Sequence, residues 1–534
     1  MAKKRKVGPK AQSILPAKKN GVILWVLLII SIVFIARTNL YRIVNIYDEG
    51  NIVYGSQLVS EGAVPYKDFW SIYAPAQYYC TALLFKVFGA SVTTERVWDL
   101  LLRTALVMVI FIVAWRISGI YFALLSWLTA LIWLGYWEWN GYPAIPALLF
   151  CLISLEFLRR FHEAENKAGL FYAGLFCGVT SLFRVDFGVY TFISAVVAVA
   201  SMNALKTTKN IRYFDGFQFY FYGLLAVIII PLIYFLSVVG PGELYYDLIR
   251  YPAFIQPAYR FLNFPDPLGL VKGSFFENFP YYYPFIIYIL SGFFLYVVIS
   301  AKKGFEDLKG RALALLPFIF AGILYSVQLK NRSDYAHLEP FLLMAVLLQA
   351  FVYLRVFGLS GSYKYGILAV LFTANVLLMV FPGTDIITRL GRHVPEQSVL
   401  KRAGRAALNG DMLKAIEFVR SKTTDKDYIF CGNTYHDRII GNDIMSYFLA
   451  ERRSATKYFC LDPGSADTPA VQKRIVADLT SKNVKYIMLL SAFEGATEPN
   501  KSSVSSGCFV LDDFIKGNFV KVWGSEPFSV LERK

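Results

Sequence analysis

Asp48 and Glu49 are adjacent carboxylates directly after the first hydrophobic segment of the chain. Two acids at a membrane boundary are costly to place and mark a functional site by default. They open a polar stretch that runs through Gly62, Pro65-Tyr66, Asp68-Phe69 and Pro75. Three chemistries suit such a pair: holding a divalent cation, carrying protons in a transporter, or taking the proton of a hydroxyl nucleophile. Proton carriers generally lie mid-membrane rather than at a helix end. A cation site with Glu138 as a further ligand stays open, although hard cations take roughly six to eight oxygens. Asp68 is a further acid on the acceptor side. A base beside cations suits group transfer from a phosphate leaving group. Lys330, Arg332 and His337 fall within two helical turns of one another, and Arg184 joins them by topology. Guanidinium forks match phosphate oxygens and stabilise charge that develops on a departing phosphate. The bland alternative makes Arg184 and Asp186, or Arg332 and Asp334, self-neutralising pairs at helix turns. Against it, the run Lys330-Asn-Arg-Ser-Asp-Tyr-Ala-His337 is polar throughout, with a histidine entering a hydrophobic helix.

These residues need membrane helices to position them. Of the 534 residues, 56% are hydrophobic and 17% charged, with a mean hydropathy of +0.46. That balance indicates a polytopic membrane protein. Hydrophobic stretches at 21–46, 95–117, 119–136, 142–159, 168–183, 186–205, 215–239, 282–301, 311–329, 337–357 and 364–382 predict about eleven spans. The piece at 76–88 is too short to span and predicts an interfacial helix within a first loop over 47–94. The net charge of +16 does not indicate nucleic acid. From Gly383 onward 22 Lys+Arg face 18 Asp+Glu, and the surplus lies in the tail and short membrane loops. The basic tail 1–20, with Lys3-Lys4-Arg5-Lys6, precedes a hydrophobic helix and so reads as a cytoplasmic anchor rather than a nuclear signal. With that end inside, Arg116, Arg159-Arg160 with Lys167, Lys206, Lys209 and Arg212, Lys302, Lys303, Lys309 and Arg311, and Lys364 all fall on the cytoplasmic face, as the positive-inside bias requires. Asp48-Glu49, Trp137-Glu138-Trp139-Asn140, Arg184-Val185-Asp186, the aromatic loop 240–281 and Lys330 to His337 then share the opposite face. That loop is expected as an interfacial aromatic belt or a flap over a lipid or sugar groove.

After Pro382-Gly383 the composition changes, and 383–534 predicts a small soluble α/β domain. Strands are expected at 427–431, 457–460 and 485–490, with helices at about 443–453 and from Thr468-Pro469 to Asn483. Strand–helix alternation implies a parallel sheet. The loop Gly432 to Asp437 leaves the carboxyl end of the first strand, where α/β ligand sites lie, although His436 reads better as a structural residue. Cys431, Cys460 and Cys508 are either buried thiols or, outside the cytoplasm, disulfide partners.

Asp48-Glu49-Gly50, Gly62-x-x-Pro65-Tyr66-x-Asp68-Phe69 and Pro75 resemble the first extracytoplasmic loop of the GT-C glycosyltransferase superfamily, in its protein O-mannosyltransferase and aminoarabinose-transferase branch (family 39). Arg184-Val185-Asp186 and Arg332-Ser333-Asp334-x-x-His337 add to the resemblance, which covers residues 20–382. It implies an inverting transfer of a sugar from a polyprenyl-phosphate donor to an extracytoplasmic acceptor (a lipid, an envelope glycan or a protein), in a bacterial or archaeal plasma membrane. The family's first-loop acid carries over to Asp48, with Glu49 beside it, and Arg184, Lys330, Arg332 and His337 would hold the donor phosphate. Glu138 falls where some members place a second acid, in a setting that departs from theirs. A flippase of lipid-linked sugars and a ligase using a lipid-diphosphate donor are the alternatives.

Overall fold

The computed structural model describes residues 17–164, 167–204, 213–270, 274–300, 312–391 and 398–534. Each expected hydrophobic stretch falls on a helix. α1 is Ala17–Asn39, and after the first loop come α4 (Val92–Ser118), α5 (Ile120–Tyr136), α6 (Ala144–Ala164), α7 (Lys167–Phe183), α8 (Val185–Ala204) and α9 (Tyr213–Val238). Within that loop, α2 (Asp48–Ser60) and α3 (Ala76–Phe88) are helical. Among the described residues six helices are long and apolar enough to cross a membrane, and three shorter apolar helices accompany them. The basic residues Lys206, Lys209, Arg212, Lys302, Lys303, Lys309 and Arg311, and the tail up to residue 16, lie outside the described residues.

The stretch 240–281 folds into short pieces: α10 (Pro241–Tyr245), a π-helix at Tyr246–Ile255 and α11 (Gln256–Arg260). The bundle resumes with α12 (Phe275–Ser300), α13 (Leu316–Asn331), α14 (Tyr335–Phe357) and α15 (Tyr363–Gly391). α14 is buried over 83% of its most apolar window, as expected of a helix apolar all round. Its Asp334 cap accepts from the His337 amide at 3.0 Å. In lipid, helices associate through close packing and polar contacts. At the α7–α9 crossing a Cβ on Gly174 would lie 1.9 Å from the Tyr220 carbonyl, so only glycine permits that approach. In the core, Asn375 donates to Gln349 at 2.8 Å and to the Tyr283 hydroxyl at 3.2 Å, tying α12, α14 and α15.

The composition shift after Pro382-Gly383 falls inside α15, which continues to Gly391. Beyond it lie α16 (Gly410–Lys422), α17 (Met445–Ala450), α18 (Pro469–Ser481) and α19 (Val510–Asn518), around a five-stranded sheet of order β2-β1-β3-β5-β4. The strands are β1 (Tyr428–Asn433), β2 (Arg453–Ser454), β3 (Tyr486–Leu490), β4 (Phe519–Ser525) and β5 (Phe528–Arg533). The sheet is mixed, not parallel. β2, β1 and β3 run parallel, with Ile429 opposite Tyr486, whereas β5 pairs antiparallel with β3 and β4. The expected strand at 457–460 is irregular backbone outside the sheet; the Trp70 amide of the first loop donates to its Lys457 carbonyl instead, at 3.0 Å. Cys431, Cys460 and Cys508 are free thiols, all buried.

One hydrophobic core joins the first loop to this sheet. Val53, Tyr54, Phe69, Tyr78 and Phe85 pack with Ile429, Tyr447, Phe448 and Phe459. Tyr54 stacks on Tyr447 at 5.1 Å and meets Phe459 edge-on at 4.8 Å.

Candidate active site

Asp48 is the first residue of α2 rather than part of a polar loop. Helix starts leave amides without partners, and here the Asn45 side chain takes that role. Its Oδ1 accepts from the amides of Tyr47 and Asp48 at 3.0 and 2.9 Å. The Asp48 carboxylate is thereby free of capping duty. Among the described residues its one hydrogen bond is a long one from the Tyr73 hydroxyl, 3.5 Å. The side chain is half-buried. Burial pushes its carboxyl up to about 6, against the opposing pull of Arg260, and Asp334 and Asp462 add to the rise.

Glu49 is committed elsewhere. It is fully buried and takes a bidentate contact from Arg96, at 2.6 and 2.9 Å, with the Asn45 amide at 3.0 Å. The same Arg96 guanidinium donates to the carbonyls of Leu40, Arg42 and Ile43, fixing the turn between α1 and α2. Glu49 therefore holds the platform on which Asp48 stands. Glu138 pairs with Arg42 and Arg389 at the end of α5, is half-exposed, and does not have Asp48 among its partners. Asp68 is exposed and closes a local turn by accepting from the Val64 amide at 2.7 Å. Lys330 is exposed in the last turn of α13.

The predicted cations divide into two groups. Arg184 grips Asp186 through Nε and Nη2 at 3.0 and 2.6 Å and donates to the Tyr142 hydroxyl at 2.9 Å. The Tyr142 ring meets that of Tyr73, the residue that reaches Asp48, edge-on at 5.9 Å. Gln328 of α13 also donates to Asp186. Arg332 forms the second group. Its Nε donates to Asp334 at 2.6 Å, and Asp334 also meets His337 Nδ1 at 2.6 Å. Burial raises the Asp334 carboxyl, but His337 and Arg332 outweigh it and hold it well below the usual carboxylate range.

Sequence reasoning misses Arg260, Asp462, Tyr47 and Glu498. Arg260 ends α11, donates to Asp462 at 2.9 Å and to the Tyr47 hydroxyl at 3.2 Å, and is the strongest charge acting on Asp48. Tyr47 donates to Asp462 at 2.5 Å. Arg332 Nη1 donates to the Arg260 backbone carbonyl at 2.8 Å, which ties Arg332 to the end of α11. The signals were slight: one of two arginines in an aromatic stretch, and an Asp462-Pro463-Gly464 turn. His436 is buried, meets Asp512 through Nδ1 at 2.8 Å and accepts from the Asn433 amide through Nε2, a structural role as expected. Among the described residues no three His, Cys, Asp or Glu side chains gather into a metal-holding group.

A half-buried carboxylate within the electrostatic reach of two guanidiniums can take a proton from a hydroxyl while a phosphate departs against the arginines. Neither protein-family models nor curated protein sequences match the chain. Solved structures do. ArnT from Cupriavidus metallidurans in the apo state is similar at 14% identity and a TM-score of 0.58, over 97% of this chain and 98% of that one. ArnT from Cupriavidus metallidurans bound to undecaprenyl phosphate is similar at 12% identity and a TM-score of 0.53, with the same coverage. The Archaeoglobus fulgidus oligosaccharyltransferase in the apo form is similar at 10% identity and a TM-score of 0.56, over 87% of this chain and 69% of that one. The chain thus shares the fold of these solved structures, a bundle of apolar helices completed by a C-terminal α/β unit.

Proposed function

We propose that the chain is an integral-membrane glycosyltransferase that moves a sugar from a polyprenyl-phosphate donor to an acceptor outside the cytoplasm. Asp48 is the general base. It takes the acceptor hydroxyl proton as that oxygen bonds to the anomeric carbon. The bond from that carbon to the phosphate oxygen breaks, its electron pair leaves with polyprenyl phosphate, and the configuration inverts. Arg260 and Arg332 meet the charge that develops on the leaving phosphate, with Arg184 behind the Tyr73–Tyr142 pair. The site and residues 398–534 lie on the extracytoplasmic side and the N-terminus in the cytoplasm.

The observation that carries this reading is the Asp48 carboxylate: uncommitted to any strong hydrogen bond, raised to about 6, and within the electrostatic reach of Arg260 and, more weakly, Arg332. A general base works best with a pKa near the operating pH. The likeness to a structure bound to undecaprenyl phosphate supports a lipid phosphate as donor. The test presents purified protein with a panel of polyprenyl-phosphate sugars and a membrane extract, and follows released polyprenyl phosphate by mass spectrometry. Turnover with one donor, lost in Asp48→Asn, is the expected result. Transfer that survives the substitution removes Asp48 as the base. A folded protein that turns over none of the monophosphate donors directs attention to the flippase and diphosphate-ligase readings.

A further inference from the structure

The fork of Arg332 is already filled. Its Nη1 and Nη2 donate to the two carboxylate oxygens of Glu498 at 3.2 and 2.9 Å. Glu498 comes from segment 494–504, between β3 and α19, on the far side of the chain in sequence. The segment is lightly held. Asn500 donates to Glu498 and to the Phe261 carbonyl, both at 2.8 Å, and the Glu498 amide donates to Ser503 within the segment itself. The Lys501 ammonium lies 6.0 Å over the Tyr259 ring, and Val504 is 62% exposed. An open depression of about 860 Å³, lined by Phe254, Phe261, Lys501 and Val504 among others, lies between the segment and α11.

Charge decides what must happen when an anion arrives. Besides Asp48, the carboxylates of Asp334, Asp462 and Glu498 already surround the guanidiniums of Arg260 and Arg332. A phosphate added to this set meets surplus negative charge and an occupied fork. One carboxylate has to leave. Asp334 caps α14 and is bound to His337. Asp462 is buried against Tyr47 and Arg260. Glu498 alone stands on a surface segment. Carboxylate and phosphate oxygens present the same two-point geometry to a guanidinium.

We propose that Glu498 is a displaceable placeholder for the donor phosphate: the phosphate of a lipid-linked donor replaces it on Arg332, and segment 494–504 moves off the site into the adjoining depression. This rests on Arg332 being a donor-phosphate ligand, as read above. Placeholder and phosphate compete for one fork, so the closed segment lowers the donor's apparent affinity by the fraction of molecules that are open.

The test uses the full chain in lipid nanodiscs with undecaprenyl phosphate as probe and inorganic phosphate as a second arm. Affinity is read by native mass spectrometry for wild type, Glu498→Gln, Arg332→Gln and the double variant. We expect Glu498→Gln to bind undecaprenyl phosphate about tenfold more tightly. The double variant should show no gain over Arg332→Gln. In the unaltered protein, undecaprenyl phosphate should speed tryptic cleavage after Lys501 several-fold, a readout that needs no substitution. The same acceleration by inorganic phosphate supports displacement by phosphate alone, and acceleration by the lipid only supports displacement by a lipid-borne one. Equal affinity of Glu498→Gln and wild type, with Arg332→Gln weakened, overturns the placeholder and leaves the donor reading standing. Unchanged affinity in Arg332→Gln overturns both.

Discussion

Asp48 and Glu49 are neighbours in sequence with opposite duties, and the difference is in their partners. Asp48 has one long hydrogen bond, Glu49 a full guanidinium and an amide. Asp48→Asn should lower the transfer rate by about 10²–10⁴-fold, the usual contribution of a positioned base. The sign of its effect on stability is opposite. A carboxyl raised from 3.8 to about 6 in the folded state favours folding most when protonated, so its contribution is lost as pH rises through that window. Asn removes that cost and should stabilise the protein at pH 7 by about 1–2 kcal/mol, allowing for water at a half-buried group. Thermal unfolding of the pair of proteins at pH 5 and pH 7.5 checks this, with a larger gap expected at the higher pH. Activity of the wild type should climb with pH through about 6, as Asp48 loses its proton, before levelling off. Glu49→Gln should instead behave as a folding defect. It leaves Arg96 buried without its counter-charge, a loss of about 3–5 kcal/mol. Lower yield and a lower unfolding temperature, rather than a folded inactive protein, are the outcome to look for.

At the scale of elements, α2 is where sequence reasoning and the structure part. Asp-Glu-Gly-Asn-Ile-Val-Tyr-Gly has two glycines and β-branched residues, a poor helix by propensity, and it reads as a loop. Tertiary packing overrides this, and the glycines are why. A Cβ on Gly50 would sit 2.6 Å from the Met445 amide nitrogen of α17, and one on Gly55 2.6 Å from the Tyr78 ring. Backbone cannot yield as a side chain can. Gly50→Ala should therefore separate α2 from α17, whose Met445 amide donates to Ile46 at 3.0 Å, at a cost of about 1–3 kcal/mol. Proteolysis of the first loop would report it, and resistance equal to wild type would count against this packing account. The spanning helices were legible because a run of apolar residues announces itself. The β4–β5 hairpin was not among the three expected strands. Arg260, Asp462 and Glu498 were not legible, since nothing local marks residues that meet Arg332 and Tyr47 across 72 to 415 positions.

Over the whole molecule, the C-terminal unit is part of what builds the site rather than an appendage to it. Asp48 stands at the start of a helix whose buried face is completed by Tyr447, Phe448 and Phe459. The Tyr54 hydroxyl accepts from the Ser454 amide at 2.6 Å, so even the short edge strand β2 is tied to the first loop. Asp462 and Glu498 reach from that unit to Arg260 and Arg332. A membrane bundle with an independent outer domain would allow the two to unfold separately. A shared core predicts one cooperative unit instead. In hydrogen exchange, the amides of α2 and of β1 and β3 should then have matching protection. Tyr54→Ala, which opens a cavity in the joint core worth about 3–5 kcal/mol, should lower protection in both together. Loss confined to α2, with the sheet unchanged, would mean that the sheet is stable alone and Asp48 is held by the membrane helices. Loss in both ties the placement of the base to the C-terminal unit. In that case a chain ending at residue 397 should retain its membrane helices and lose transfer.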